Sequence, residues 1–204
     1  YSHFALDFVY KSPHNLLAFL DNHDVARWLV KHPSVEGLKQ AIGLLLTIPR
    51  IPQIYYGTEI LMVGDGKGDT DGNMRQDYHW DRFLTAEQKD FQVYIAKLLK
   101  WRIGCKAITE GEMMHFVPLD GKVYVYFRYL KDDNGNINDA NVVMVVVNFS
   151  EENDEVNLCR FKEILSVCEL WNDVIDNKVR LLNSMNSINI KANGIIILES
   201  NKND

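Results

Sequence analysis

Two short apolar runs decide most of what this chain can fold into. Residues 16–20 (LLAFL) and 51–56 (IPQIYY) are continuous rather than alternating, the pattern of strands buried on both faces in a parallel sheet covered by helices. Between them, Leu38, Ala41, Ile42 and Leu45 recur at i, i+3, i+4 and i+7. That spacing marks one face of a helix that begins near Ser34 and is stopped by Pro49 and Pro52. Strand, helix and strand in this order form a βαβ unit, so the two strands are expected to be parallel with a right-handed crossover. Upstream, residues 7–10 (DFVY) read as the tail of a helix ended at Ser12-Pro13, because the residue before proline is pushed out of the helical region.

The first run breaks off into Asp21-Asn22-His23-Asp24, three hydrogen-bonding side chains and an imidazole in four positions. In parallel α/β folds the side chains at the carboxyl ends of strands line the binding face. The same residues also suit a plainer role, with Asn22 or Asp24 capping the helix that follows. The second run ends in Tyr55-Tyr56-Gly57-Thr58-Glu59. A glycine- and aspartate-rich stretch, residues 64–77, comes next and contains Asp71-Gly72-Asn73-Met74-Arg75. Thr85 and Gln88 then make a capping box for a helix through about Arg102, with Phe91, Ile95, Leu98 and Leu99 on one side.

Beyond Gly104 the texture changes. VYVYFRYL (123–130) and NVVMVVVNF (141–149) are rich in β-branched and aromatic residues and are separated by the turn-forming DDNGN. Shorter candidate strands lie near 154–160, 165–171, 178–183, 187–190 and 194–199, a spacing that suggests an antiparallel sandwich. The boundary therefore falls near residue 104, dividing an α/β part (1–104) from an all-β part (105–204).

A net charge of -6 and a pI near 5.5 argue against nucleic acid or an anionic membrane surface as the main partner, since either needs a basic face. No run reaches the roughly 18 apolar residues of a membrane span. Cys105, Cys159 and Cys168 are odd in number and lack disulfide-framework or metal-pair spacing, so they read as free, packing thiols. The sequence opens at Tyr1 rather than Met, which suggests a piece of a longer polypeptide.

Taken together, FLDNHD (19–24), IPQIYYGTE (51–59) and DGNMRQD (71–77) resemble the C-terminal half of the α-amylase family, glycoside hydrolase family 13, in particular its neopullulanase and cyclomaltodextrinase-like members. The resemblance implies that residues 1–104 are the last two βα units of a (β/α)8 TIM barrel, and residues 105–204 the C-terminal antiparallel β-sandwich called domain C. It also assigns roles. Asp24 resembles the family's third carboxylate, which binds sugar hydroxyls at the cleavage point and favours the distorted ring of an oxocarbenium-like state; it is neither acid nor nucleophile. His23 resembles the histidine that donates to the same sugar, and Asn22 adjoins it in the substrate-binding set. Asp71 and Arg75 match a pair contacting glucose beside the cut, with a surface salt bridge as the plainer alternative. Trp80 is a stacking candidate, as are Tyr55 and Tyr56, for which burial is an equal alternative.

Two carboxyls about 5–5.5 Å apart are needed by a retaining glycosidase, and the resemblance places both on earlier strands. No arginine-x-aspartate strand end and no matching glutamate occurs here, and Glu59 reads as structural. The expectation is a C-terminal fragment of a retaining hydrolase of α-glucans such as starch, pullulan and maltooligosaccharides, inactive alone. The alternative is a non-catalytic carbohydrate-binding or interaction module. Arg50 stands where relatives usually carry glycine, and Asp77-Tyr78-His79-Trp80 departs from the family's usual segment, so local substrate loops are expected to differ. No cofactor or metal is expected. Asp69, Asp71 and Asn73 imitate the start of a calcium loop, but Met74 occupies the glycine position and Trp80 that of the bidentate glutamate. Calcium is left to the parent enzyme. The expected partners are an α-glucan oligosaccharide and the missing N-terminal barrel portion. Self-association through the barrel-derived half is a further expectation, because two parallel strands alone leave open edges and apolar faces. A starch-degrading enzyme of this type would work in the periplasm or outside the cell, a compartment the residues themselves do not fix.

Overall fold

A computed structural model describes residues 1–67, 71–78, 80, 83–118, 120–166 and 168–201, with residues 71 and 201 described by their backbone alone. In chain order the elements are α1 (Ser2–Ala5), β1 (Leu17–Phe19), α2 (Trp28–Lys31), α3 (Val35–Thr47), β2 (Ile51–Gln53), α4 (Ala86–Gly104) and α5 (Lys106–Thr109). Then come β3 (Glu112–His115), β4 (Val123–Lys131), β5 (Ile137–Asn148), β6 (Asp154–Asn157), α6 (Lys162–Leu165), β7 (Leu170–Asp173), β8 (Val179–Leu181), β9 (Ser187–Ile190) and β10 (Ile195–Asn201).

The two apolar runs do form strands, and they pair in parallel, Leu17 with Ile51 and Phe19 with Gln53, on either side of α3. Ser34 starts that helix by accepting a hydrogen bond from the Gly37 N–H at 3.0 Å. Burial on both faces is not observed, however: Leu17, Phe19 and Ile51 are 55%, 44% and 48% exposed. Each strand has only the other as neighbour, so Ala18 and Leu20 pack against the core while the opposite side is uncovered. Residues 7–10 also differ from expectation. They form a 3-10 turn, Asp7–Val9, whose Asp7 carboxylate pairs with the buried Arg50 while Phe4 lies 5.3 Å from the same guanidinium. Arg50 is thus the anchor of the N-terminal segment.

The capping box forms as read. Thr85 Oγ1 accepts from the Gln88 N–H at 3.2 Å, and Gln88 Oε1 accepts from the Thr85 N–H at 3.0 Å. Phe91, Ile95 and Leu98 are buried, but Leu99 sits at the rim of that face, 37% exposed. Thr85→Ala is expected to cost about 1 kcal/mol, seen as a lower urea midpoint at unchanged slope.

The β part is a six-stranded sheet in the order β3-β4-β5-β10-β7-β8, antiparallel throughout, with a separate β6-β9 pair. Alternate side chains of its central strands feed two cores. Tyr124, Tyr126, Val143, Val145 and Ile197 face α3 and α4, whereas Val125, Phe127, Met144, Val146 and Leu198 face the β6-β9 layer. Both faces are covered, which is why these strands read as unbroken apolar runs. The second layer is smaller than a full sheet. The run near 154–160 becomes β6 followed by a 3-10 turn at Leu158–Phe161, and that near 165–171 only overlaps the end of α6 at Leu165 and the start of β7 at Leu170.

A seam of buried polar groups ties α3 to the sheet. Arg128 on β4 donates to the carbonyls of Thr47 (2.9 Å), Ile108 (3.0 Å), Gly111 (2.7 Å) and Glu112 (3.2 Å). Burial draws its guanidinium down to about 10. Arg102 caps the Leu46 carbonyl, Thr47 bonds Tyr126, and Gln40 Nε2 donates to Asn148 O at 2.6 Å. Cations at a helix C-terminus also oppose its negative dipole end.

Burial raises the phenols of Tyr94, Tyr124 and Tyr126 and pushes the Cys105 thiol up to about 12. Groups raised in the folded state stabilise it fully below their unfolded pKa and lose that contribution as pH climbs toward the folded value. The urea midpoint is therefore expected to hold between about pH 7 and 8 and to fall by about pH 11. Arg128 and Arg102, both drawn downward by burial, have the opposite sign but are two groups against these four.

Candidate functional site

The site lies beyond the carboxyl ends of β1 and β2, where three segments meet. In the first, residues 21–28, the two leading polar residues hold the turn. Asn22 Oδ1 accepts from the N–H groups of Asp24 (2.8 Å) and Val25 (3.1 Å). Asp21, buried, accepts from the Trp28 N–H at 2.9 Å and from the Thr58 hydroxyl at 3.3 Å, fastening the turn to the end of the second strand. Local capping thus falls to Asp21 and Asn22, and the side chains of His23 and Asp24 are left 59% and 64% exposed.

Those two residues meet an arginine from the third segment. His23 Nε2 lies 3.1 Å from Asp24 Oδ2, Arg75 Nη2 donates to Asp24 Oδ1 at 3.2 Å, and Arg75 Nε donates to the His23 carbonyl at 3.1 Å. A carboxylate, an imidazole and a guanidinium open to solvent can accept from and donate to vicinal hydroxyls. Such an exposed ion pair adds under about 1 kcal/mol to stability. Asp71 begins the 3-10 turn Asp71–Met74; its side chain is outside the described residues, as is Asp69. Trp80 is 87% exposed, its ring 4.3 Å from that of Tyr78. Burial, followed by the charge and hydrogen bond of Glu59, raises the Tyr78 phenol.

Behind the exposed groups stands Arg27, 1% exposed. Its guanidinium lies 4.1 Å from the centroid of Tyr55, and it donates to the Tyr56 carbonyl at 2.6 Å and the Met74 carbonyl at 3.3 Å. Tyr56 in turn donates to Gln76 O at 2.7 Å. The strand end needs Gly57: its φ is +83°, and a Cβ there would sit 2.1 Å from the Met62 sulfur. In the loop beyond, Asp65 accepts from the Lys67 N–H and from Asn73, and the Lys67 N–H holds its carboxyl below the usual range. Among the described residues no group of three His, Cys, Asp or Glu side chains is placed to hold a metal ion. Asp21 and Thr58 were quoted within the strand-end motifs without a role, and Arg27 was not singled out by the sequence. The one available signal was a charged residue, Arg27, inside the otherwise apolar VARWLV.

Residues 113–199 match the cyclo-malto-dextrinase C-terminal domain. A maltogenic α-amylase from Bacillus acidopullulyticus is 27% identical over 198 residues, 97% of this chain and 31% of the relative. A cyclomaltodextrin glucanotransferase from Geobacillus stearothermophilus is 31% identical over 140 residues, 68% of this chain and 17% of the relative. The chain therefore spans less than a third of either. Among solved structures, an α-amylase from Geobacillus thermoleovorans complexed with acarbose superposes with a TM-score of 0.73 at 22% identity, over 96% of this chain and 41% of that one. The fold is that of the α-amylase class of glycosidases. The chain belongs to the α-amylase family, glycoside hydrolase family 13, and corresponds to its C-terminal region.

Proposed function

We propose that the chain is the C-terminal part of a retaining, neopullulanase- or cyclomaltodextrinase-like glycoside hydrolase acting on α-glucans. In this reading β1 and β2 are the last two strands of a (β/α)8 barrel within residues 1–104, and residues 105–204 are domain C. Asp24 binds the hydroxyls of the sugar at the point of cleavage and holds them more tightly as the ring flattens toward the oxocarbenium-like state. His23 and Arg75 orient that carboxylate and donate to the same or the adjoining sugar. Asn22 shapes the turn beneath them, and Asp71 and Trp80 extend the glucan subsites. The nucleophile and the acid/base come from earlier strands of the natural polypeptide.

The observation that carries the reading is the meeting of Asp24, His23 and Arg75 at the ends of two parallel strands. The uncovered apolar side of β1 and β2 supports it as well, since further strands would bury Leu17, Phe19 and Ile51. Self-association through that side is the alternative fate of the same surface, and light scattering on the chain distinguishes monomer from oligomer.

Maltoheptaose is the test substrate. The full natural polypeptide is expected to cleave it, and the 204-residue chain alone is not. Cleavage by the chain alone would overturn the assignment of the missing carboxyls. A second reading, a carbohydrate-binding module, is favoured by the exposure of Trp80. Calorimetric binding of maltoheptaose that disappears in Trp80→Ala would support it, and no heat at millimolar sugar would end it.

A further inference from the structure

The exposed cluster is built on a buried one. Arg75 reaches Asp24 and the His23 carbonyl from a loop, and an ion pair this exposed is a weak tether for a loop. Immediately before it in sequence, Met74 is buried, and its carbonyl accepts from Arg27 Nη2. Arg27 Nη1 bonds the Tyr56 carbonyl at 2.6 Å, and the Arg27 backbone N–H bonds the Gly64 carbonyl at 2.8 Å. One residue, three positions after Asp24, thus joins all three segments of the site. The guanidinium carbon lies over the rings of Tyr55 and Tyr56, 4.1 and 5.2 Å from their centroids. A planar fork can serve two carbonyls and a ring at once; a lysine ammonium, a point charge on a flexible stem, cannot reproduce that geometry.

We propose that Arg27 is the positioning residue of the Asp24 site: by holding the Tyr56 and Met74 carbonyls together it fixes Arg75, and through Arg75 the carboxylate of Asp24. The inference rests on the α-glucan reading for its link to turnover, but not for its geometry. A displacement of about 1 Å at such a site is enough to lower turnover by roughly a hundredfold.

The experiment uses the full natural polypeptide, with maltoheptaose as substrate and hydrogen–deuterium exchange as a second readout. Arg27→Lys, which keeps the charge, is expected to retain the melting temperature to within a few degrees while kcat falls about 10- to 100-fold. KM should change less than kcat. Because Arg27 acts through Arg75, the double variant Arg27→Lys/Arg75→Ala should fall no further than Arg75→Ala alone. Exchange should quicken in segments 21–28 and 55–76 and stay unchanged in α4 and the six-stranded sheet. Multiplying losses in the double variant, or a parental kcat in Arg27→Lys, would overturn the proposal. So would unchanged exchange in both segments, whatever the kinetics show. If the parent polypeptide cleaves no α-glucan, the functional reading fails, and the exchange measurement still decides whether Arg27 positions the loop.

Discussion

Asp24→Asn in the full natural polypeptide is expected to lower kcat on maltooligosaccharides by about a thousandfold, because interactions of this kind strengthen by several kcal/mol in the transition state. The substitution keeps the shape of the side chain and one acceptor oxygen. What it removes is the charge that faces the developing positive ring and that pairs with Arg75. Folding should hardly notice. The carboxylate is exposed, the turn is held by Asn22 and Asp21, and no core group rests on Asp24. Steady-state kinetics beside a thermal melt make the check. A kcat within tenfold of the parent's would remove Asp24 from the mechanism, and a collapsed melt would show that it holds the fold instead.

Arg128→Met should have the converse profile, a large loss of stability with no residue of the site touched. The methionine fills much of the volume but leaves the carbonyls of Thr47, Ile108, Gly111 and Glu112 without this donor inside the protein. Unsatisfied buried groups cost about 1–3 kcal/mol each, and with some of that recovered by relaxation the net loss should be about 3–5 kcal/mol. For a domain of this size that corresponds to a melting temperature lower by about 6–20 °C. Arg128→Lys should recover only part of the loss, since an ammonium has three donors where the guanidinium uses a fixed fork. Differential scanning calorimetry of both variants tests this. A shift under about 2 °C for Arg128→Met would mean that the seam is held by its apolar contacts alone.

Much of the fold was legible because periodicity survives tertiary context. The parallel pair around α3, the capping box at Thr85 and the two long strands all follow from spacing that only one kind of element satisfies. The losses have physical causes as well. Residues 112–115 (EMMH) make an edge strand too short and too mixed to signal itself, and the sheet recruits it by pairing with β4. The run near 165–171 contributes only Leu165 to α6 and only Leu170 and Trp171 to β7, since a short apolar run does not by itself specify a strand. In the site, His23, Asp24 and Arg75 were singled out in the sequence at a strand end and a loop, and the structure brings them into contact. Arg75 was matched to Asp71, whose side chain lies outside the described residues; the described contacts of Arg75 run to Asp24 and the His23 carbonyl. The supporting residues were not readable. A buried arginine such as Arg27 or Arg128 looks in sequence like any solvated charge, and only the carbonyls converging on it reveal the difference.

The seam between α3 and β4 has a consequence for how such proteins can be recombined. Gene shuffling tends to be planned at boundaries read from the sequence, which here would put the crossover near residue 104. Thr47 would then be inherited from one parent and its partners Tyr126 and Arg128 from the other, as would Gln40 and Asn148. Chimeras joined at that point should express well only when both parents carry compatible versions of these pairs, and a library designed around the seam should outperform one designed around the boundary.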